Sequence, residues 1–114
     1  MKKLLLISIV TLLFASKVSA QETSPLSDPK KYLGKTVTLC ETIYSLNIMS
    51  DTLTLLNMGG SHPDQKFIVA IKGNRIVLDW ANLKRKHICV TGVLELYKGI
   101  PEVIALLPNE IEFK

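Results

Sequence analysis

Residues 86–108, KHICVTGVLELYKGIPEVIALLP, constrain the fold more than any other part of the chain. Ile88, Val90, Gly92, Leu94 and Leu96 fall on one side of an extended backbone, and His87, Cys89, Thr91, Glu95 and Tyr97 fall on the other. That is the period-two pattern of a half-buried strand, interrupted only by Val93. Lys98-Gly99 supplies a turn residue that tolerates positive φ, and Pro101 can sit at the start of a returning strand, where its missing N–H costs least. The spacing therefore predicts two long antiparallel strands joined by a tight turn.

The remainder of the chain fits around that hairpin. Over 35–46, Val37, Leu39 and Ile43 alternate with Thr36, Thr38, Cys40, Thr42 and Tyr44, predicting a first strand. Glu41 falls on the apolar side, which suggests a bulge or a strand end leaving the core. Residues 47–51 read as a turn, 52–56 as a second strand, and 57–65, NMGGSHPDQ, as a loop. The apolar run 66–72, KFIVAIK, suits a central strand covered on both faces. Asn74 can cap a short amphipathic helix on which Ile76, Trp80 and Leu83 recur, and residues 109–114 read as a short tail. Three strands, a helix and two strands is the order of an all-β, five-stranded Greek-key OB-fold barrel with one short helix between strands 3 and 4. A barrel of another topology is the alternative.

The N-terminus sets the compartment. Lys2 and Lys3 precede an apolar run over 4–14, and Val18-Ser19-Ala20 offers small side chains for signal peptidase. The run is too short to span about 30 Å of hydrocarbon, and no cysteine stands at the cut to carry a lipid. Residues 1–20 are thus expected to be a signal peptide, 21–33 a flexible lead-in (possessing a turn of helix over 30–33) and 34–114 one domain. The protein is expected to be periplasmic or secreted, with no membrane anchor after cleavage. Of the 14 basic residues, Lys2, Lys3 and Lys17 leave with the signal, so 11 remain against 10 acidic, a net charge of +1. Such a balance gives no global electrostatic drive toward nucleic acid; only local patches can provide one.

GKTVTLC at 34–40, TLLNMGGSHPDQKFIVAI at 54–71, KHICVTGVLELYKGIPEV at 86–103 and PNEI at 108–111 resemble the small exported OB-fold domains of bacteria, which are related to single-strand-binding and tRNA-anticodon-binding OB modules. In that family the segment between the second and third strands reads as Asn, Leu, Gly or Gly-Gly, then Pro, a polar residue, Gln and an aromatic. Here it stands as Asn57, Met58, Gly59, Gly60, Pro63, Asp64, Gln65, Lys66 and Phe67. The resemblance implies a nucleic-acid-binding barrel, although one fold serves many ligands.

In the implied barrel the first and fourth strands are antiparallel neighbours, so Cys40 and Cys89 can meet across the ladder. An even count in an oxidising compartment favours a structural disulfide, with two separate buried cysteines as the alternative. An OB-fold would bind single strands through its second and third strands and adjoining loops, stacking bases on aromatics and neutralising phosphates. Tyr44 and Tyr97 are the stacking candidates, and Lys66, Lys72 and Lys98 the basic ones, with Arg75 nearby; Phe67 and Trp80 read better as core. The basic run 84–87 could hold phosphate, but cations ending a helix also complement its dipole, and that is the expected reading. His62 and His87 are too few and too far apart to argue for a metal. No nucleophile elbow, Walker loop or zinc-protease motif occurs, so neither enzymatic activity nor a cofactor is expected. The expected partner of this monomer is single-stranded nucleic acid, and the alternative is an envelope protein or small ligand held by the barrel as a scaffold.

Overall fold

The computed structural model describes residues 24–114. The expected signal peptide and the first three residues of the lead-in lie outside them. Among the described residues there is no helix long and apolar enough to cross a membrane.

Six strands carry the architecture: β1 (Thr36–Ser50), β2 (Leu53–Met58), β3 (Phe67–Lys72), β4 (His87–Tyr97), β5 (Ile100–Ala105) and β6 (Ile111–Phe113). β1 is antiparallel to both β2 and β4, β2 to β3, β4 to β5 and to β6, whereas β3 and β5 are parallel. Hydrogen bonding runs β1–β2–β3–β5–β4 and returns to β1, so the sheet closes on itself and its first five strands leave few unpaired edges. The length of β1 makes closure possible. Its first half, from Thr36 to Thr42, pairs with β4, and its second half, from Ile43 onward, pairs with β2. A register shift between Ile43 and Ser45 marks the handover, where the strand must bend from one neighbour to the other.

Alternation then sorts the side chains. Ile43, Leu56, Phe67, Leu94 and Val103, one from each of β1 to β5, are fully buried in one core. β3 is buried on both faces, as its continuous apolar run requires: its outward Ile68 and Ala70 join Leu55 in a second cluster, packed by Leu53, Ile100 and Ile104. At Gly92 β5 lies close against β4, and a Cβ there would collide with the Ile104 carbonyl oxygen. Lys98 and Gly99, at φ 52° and 85°, form the two-residue turn between β4 and β5, with the positive φ at both positions that twisted hairpins favour. Ahead of β1, Leu26 and Tyr32 pack against the main core from a turn and a 3-10 segment, Pro29–Tyr32.

Four expectations need correction, the first being that the loop expected over 57–65 begins later, since Asn57 and Met58 belong to β2. The sheet has six strands, since the expected C-terminal tail forms a 3-10 turn and then β6, with Val90 opposite Ile111 and Ile88 opposite Phe113. β1 runs on through the expected turn at 47–51, and the reversal falls at Asp51 and Thr52. Most consequentially, the helix between the third and fourth strands is absent, and only a 3-10 turn, Trp80–Asn82, forms there. Ile76, Leu78 and Trp80 face the core while Val77 and Asp79 face out, so the segment alternates with period two. β-Branched Ile76 and Val77 favour that extended path, and the remaining residues are too few to sustain a helix alone.

Cys40 and Cys89 are directly opposite on β1 and β4 and form a disulfide. Ladder bonds join Ile43 to Lys86 and Leu94 to Lys35, which places the bonded pairs at odd positions of β1. Thr38–Thr91, Cys40–Cys89 and Thr42–His87 therefore occupy the intervening positions, where antiparallel backbones approach most closely.

Candidate functional site

The handover on β1 creates the most developed concavity. The Arg85 N–H donates to the Ile43 carbonyl at 2.8 Å, while the Ile43 N–H donates to the Lys86 carbonyl at 2.8 Å. Two residues thus face one, a bulge whose first position requires a left-handed backbone and is ordinarily glycine. Arg85 fills it with φ 74°. The bulge lifts Lys84 and Arg85 out of the ladder and sets them beside Tyr44 and Ser45 around a cleft of 420 Å³. Gly59, whose N–H donates to the Thr42 carbonyl at 2.8 Å, lines the same cleft. Gly59 has φ 78°, and a Cβ there would fall 2.9 Å from Lys66 Cδ and 3.1 Å from Glu41 Cγ, so glycine suits the position.

Charge in the cleft is asymmetric. Glu41 is committed: its Oε2 accepts from the Thr42 N–H at 3.0 Å and its Oε1 from Lys66 Nζ at 3.1 Å. The Thr42 hydrogen bond, helped by Lys66 and opposed by burial, holds the Glu41 carboxyl below its ordinary range. Among the described residues, the side chains of Lys84 and Arg85 have no ion-pair partner. Tyr44 is 57% exposed, so a ring face is available beside those two cations. Ser45 Oγ accepts from Asn57 Nδ2 at 3.0 Å, which leaves the Ser45 hydroxyl proton to donate elsewhere. Asn57 is in turn held by Gln65 Nε2 at 3.1 Å, and the same nitrogen lies 3.2 Å from His62 Nδ1. The Gly-Gly loop is thereby tied to the wall that carries Ser45.

The five residues singled out for nucleic acid fall in three places. Tyr44 lines the cleft, and Lys66 borders it through Glu41. Tyr97 and Lys98 are together on the β4–β5 turn, with Lys98 Nζ 5.3 Å from the Tyr97 ring centroid. Lys72 ends β3, near enough to Glu102 to influence its charge. Glu102 is opposite Glu95 on β4 and is 6% exposed. Burial raises its carboxyl above the ordinary range, Lys72 opposes this and Glu95 adds to it. Phe67 is fully buried and belongs to the core, as expected.

Lys84 and Arg85 have no local sequence signature of a place in a cleft. The run 84–87 reads as a complement to a helix dipole only if an α-helix precedes it, and none does. Without that dipole the run needs another explanation, and its first two members border the cleft. Among the described residues, no group of three or more His, Cys, Asp or Glu side chains is arranged to hold a metal ion. Comparison with protein-family models finds no match for this chain, and comparison with curated proteins finds none.

Proposed function

We propose that this chain is an exported, non-enzymatic, monomeric OB-fold module that binds single-stranded nucleic acid or oligonucleotides weakly, with the cleft beside Tyr44 as its anchor. The closure order β1–β2–β3–β5–β4–β1 with one parallel pair supports the OB-fold reading, because a five-stranded Greek-key barrel closes in that way. The signal-like character of residues 1–20 supports export. The observation that carries the ligand class is the union of an exposed tyrosine ring with two cations lacking ion-pair partners among the described residues. Single strands are held by that combination, aromatic faces for bases and basic groups for phosphates.

Fluorescence polarisation with a labelled single-stranded oligonucleotide tests it. With roughly two phosphates neutralised, log K should fall against log salt with a slope of about −1.4, and Tyr44→Ala should weaken binding. Salt-independent binding, or none at tens of micromolar protein, would remove the proposal.

A second reading, an envelope protein-interaction module, is favoured by a separate observation. Ile48 and Met49, at the far end of β1, are 58% and 57% exposed. A protein partner captured from periplasmic extract should survive nuclease treatment and be lost on Ile48→Ser, whereas a nucleic-acid partner should not survive it.

A further inference from the structure

The left-handed residue of the bulge carries more information than its position alone. An L-residue with a side chain disfavours positive φ, and a G1-type bulge is normally built on glycine. At φ 74° this chain has Arg85, on the wall of the cleft and without an ion-pair partner among the described residues. Nothing in the packing requires the side chain: Arg85 is exposed, and its backbone alone makes the bulge hydrogen bond to Ile43. Lys98 also takes a positive φ, in a hairpin turn, but of the two only Arg85 combines that backbone with a place on the cleft wall.

Resting on the nucleic-acid reading above, we infer that the cleft is a site for one nucleotide, with its phosphate held by Arg85 and Lys84 and its base laid against Tyr44. The 420 Å³ volume lies near the lower end for small-ligand sites, suited to a single nucleotide rather than a stacked run. Tyr44 is the only aromatic on its lining, and the other exposed tyrosine, Tyr97, is on a different hairpin beneath Lys98. The Ser45 hydroxyl can donate to the same phosphate or to the sugar, since its oxygen already accepts from Asn57. Glu41 does not oppose the anion strongly, because Lys66 and the Thr42 N–H occupy both of its oxygens. A guanidinium offers a two-pronged donor that matches phosphate, which accounts for arginine at a bulge position where glycine would be easier.

The test uses the full chain and Arg85→Gly, a variant that suits the backbone and keeps the fold out of question. AMP, adenosine and an adenine tetranucleotide with and without a 5′ phosphate are titrated at low salt by amide NMR. AMP should shift the Tyr44, Ser45 and Arg85 signals. Adenosine should bind more weakly by about tenfold, and Arg85→Gly should lose about tenfold or more of the AMP affinity while its melting temperature stays the same or rises. A preference for the phosphorylated tetranucleotide would assign the site to a strand terminus, and equal binding would assign it to an internal phosphodiester; both support the inference. Unchanged AMP affinity in Arg85→Gly, or adenosine binding as tightly as AMP, would overturn it. If the tetranucleotides still bind Arg85→Gly as tightly as the parent, this inference fails while the nucleic-acid function stands; if no oligonucleotide binds the parent chain, both fail.

Discussion

Two walls of the same closed sheet are held in different ways. Where β1 meets β4, the outward positions are polar and paired one to one: Thr38 Oγ1 lies 2.8 Å from Thr91 Oγ1, Cys40 is bonded to Cys89, and Thr42 Oγ1 lies 3.2 Å from His87 Nδ1. Where β2, β3 and β5 run together, the outward positions are Leu55, Ile68 and Ala70, buried under Leu53, Ile100 and Ile104. The first wall depends on specific cross-strand partners and the second on burial. That difference explains where irregularity is tolerated. A bulge in a wall sealed by packing would open apolar surface to water, whereas the β1–β4 seam, pinned by its disulfide, can give up its regular ladder at Ile43 and gather charged groups there.

The sharpest way to break this comparison is to remove packing. Phe67→Ala should cost about 3–5 kcal/mol in urea unfolding, because a fully buried aromatic on β3 leaves a cavity. Next comes the covalent pin. Replacing Cys40 and Cys89 together by alanine should cost about 2–4 kcal/mol, since the bond closes a loop across 49 positions. A loss exceeding that of Phe67→Ala would mean that the seam, not the core, dominates stability.

Ligand binding should separate the walls more cleanly. Lys84→Gln should weaken oligonucleotide affinity by about fivefold and make the salt slope shallower by about 0.7, the change expected for one lost phosphate contact. Lys72→Gln, on the packed wall, should leave both unchanged, as measured by polarisation across a salt series.

The two perturbed glutamates sharpen the contrast through pH. On the packed wall, Glu102 has a raised folded-state pKa, so the folded state keeps a proton that the unfolded state loses near 4.5. Its contribution to stability is complete below that value and is lost as pH rises through the raised pKa. Glu102→Gln should remove this decline and increase stability at neutral pH. On the seam, Glu41 has a lowered pKa, so its contribution is present above 4.5 and is lost as pH falls through the lowered value. Unfolding measured from acid to neutral pH on Glu41→Gln and Glu102→Gln should show departures from the parent of opposite sign. The smallest effect belongs to the Lys66–Glu41 ion pair itself, with Lys66 58% exposed; Lys66→Gln should cost under about 1 kcal/mol.

The sheet was legible in the sequence wherever a strand has one wet face. β4 alternates over most of its length, and the same alternation placed Cys40 and Cys89 on one face, so their bond could be anticipated once β1 and β4 were neighbours. β6 was not legible, because a strand of three residues has no period to read. The segment 75–86 misled for a different reason: Ile76, Trp80 and Leu83 satisfy helical spacing, but Ile76, Leu78 and Trp80 also satisfy period two, and the tertiary contacts chose the latter. The helical reading conceals the cleft. With a helix in place, Lys84 and Arg85 have an ordinary role at its end; only the bulge opposite Ile43, a long-range pairing with no local signature, brings them beside Tyr44.

Chemical-shift mapping of the backbone amides with a short single-stranded oligonucleotide tests the proposed contact at Arg85 and Tyr44 most directly. The largest changes should fall at Tyr44, Ser45, Gly59 and Arg85 and should diminish as salt is added. Changes confined to Lys72, Tyr97 and Lys98, or no change at any amide, would contradict it.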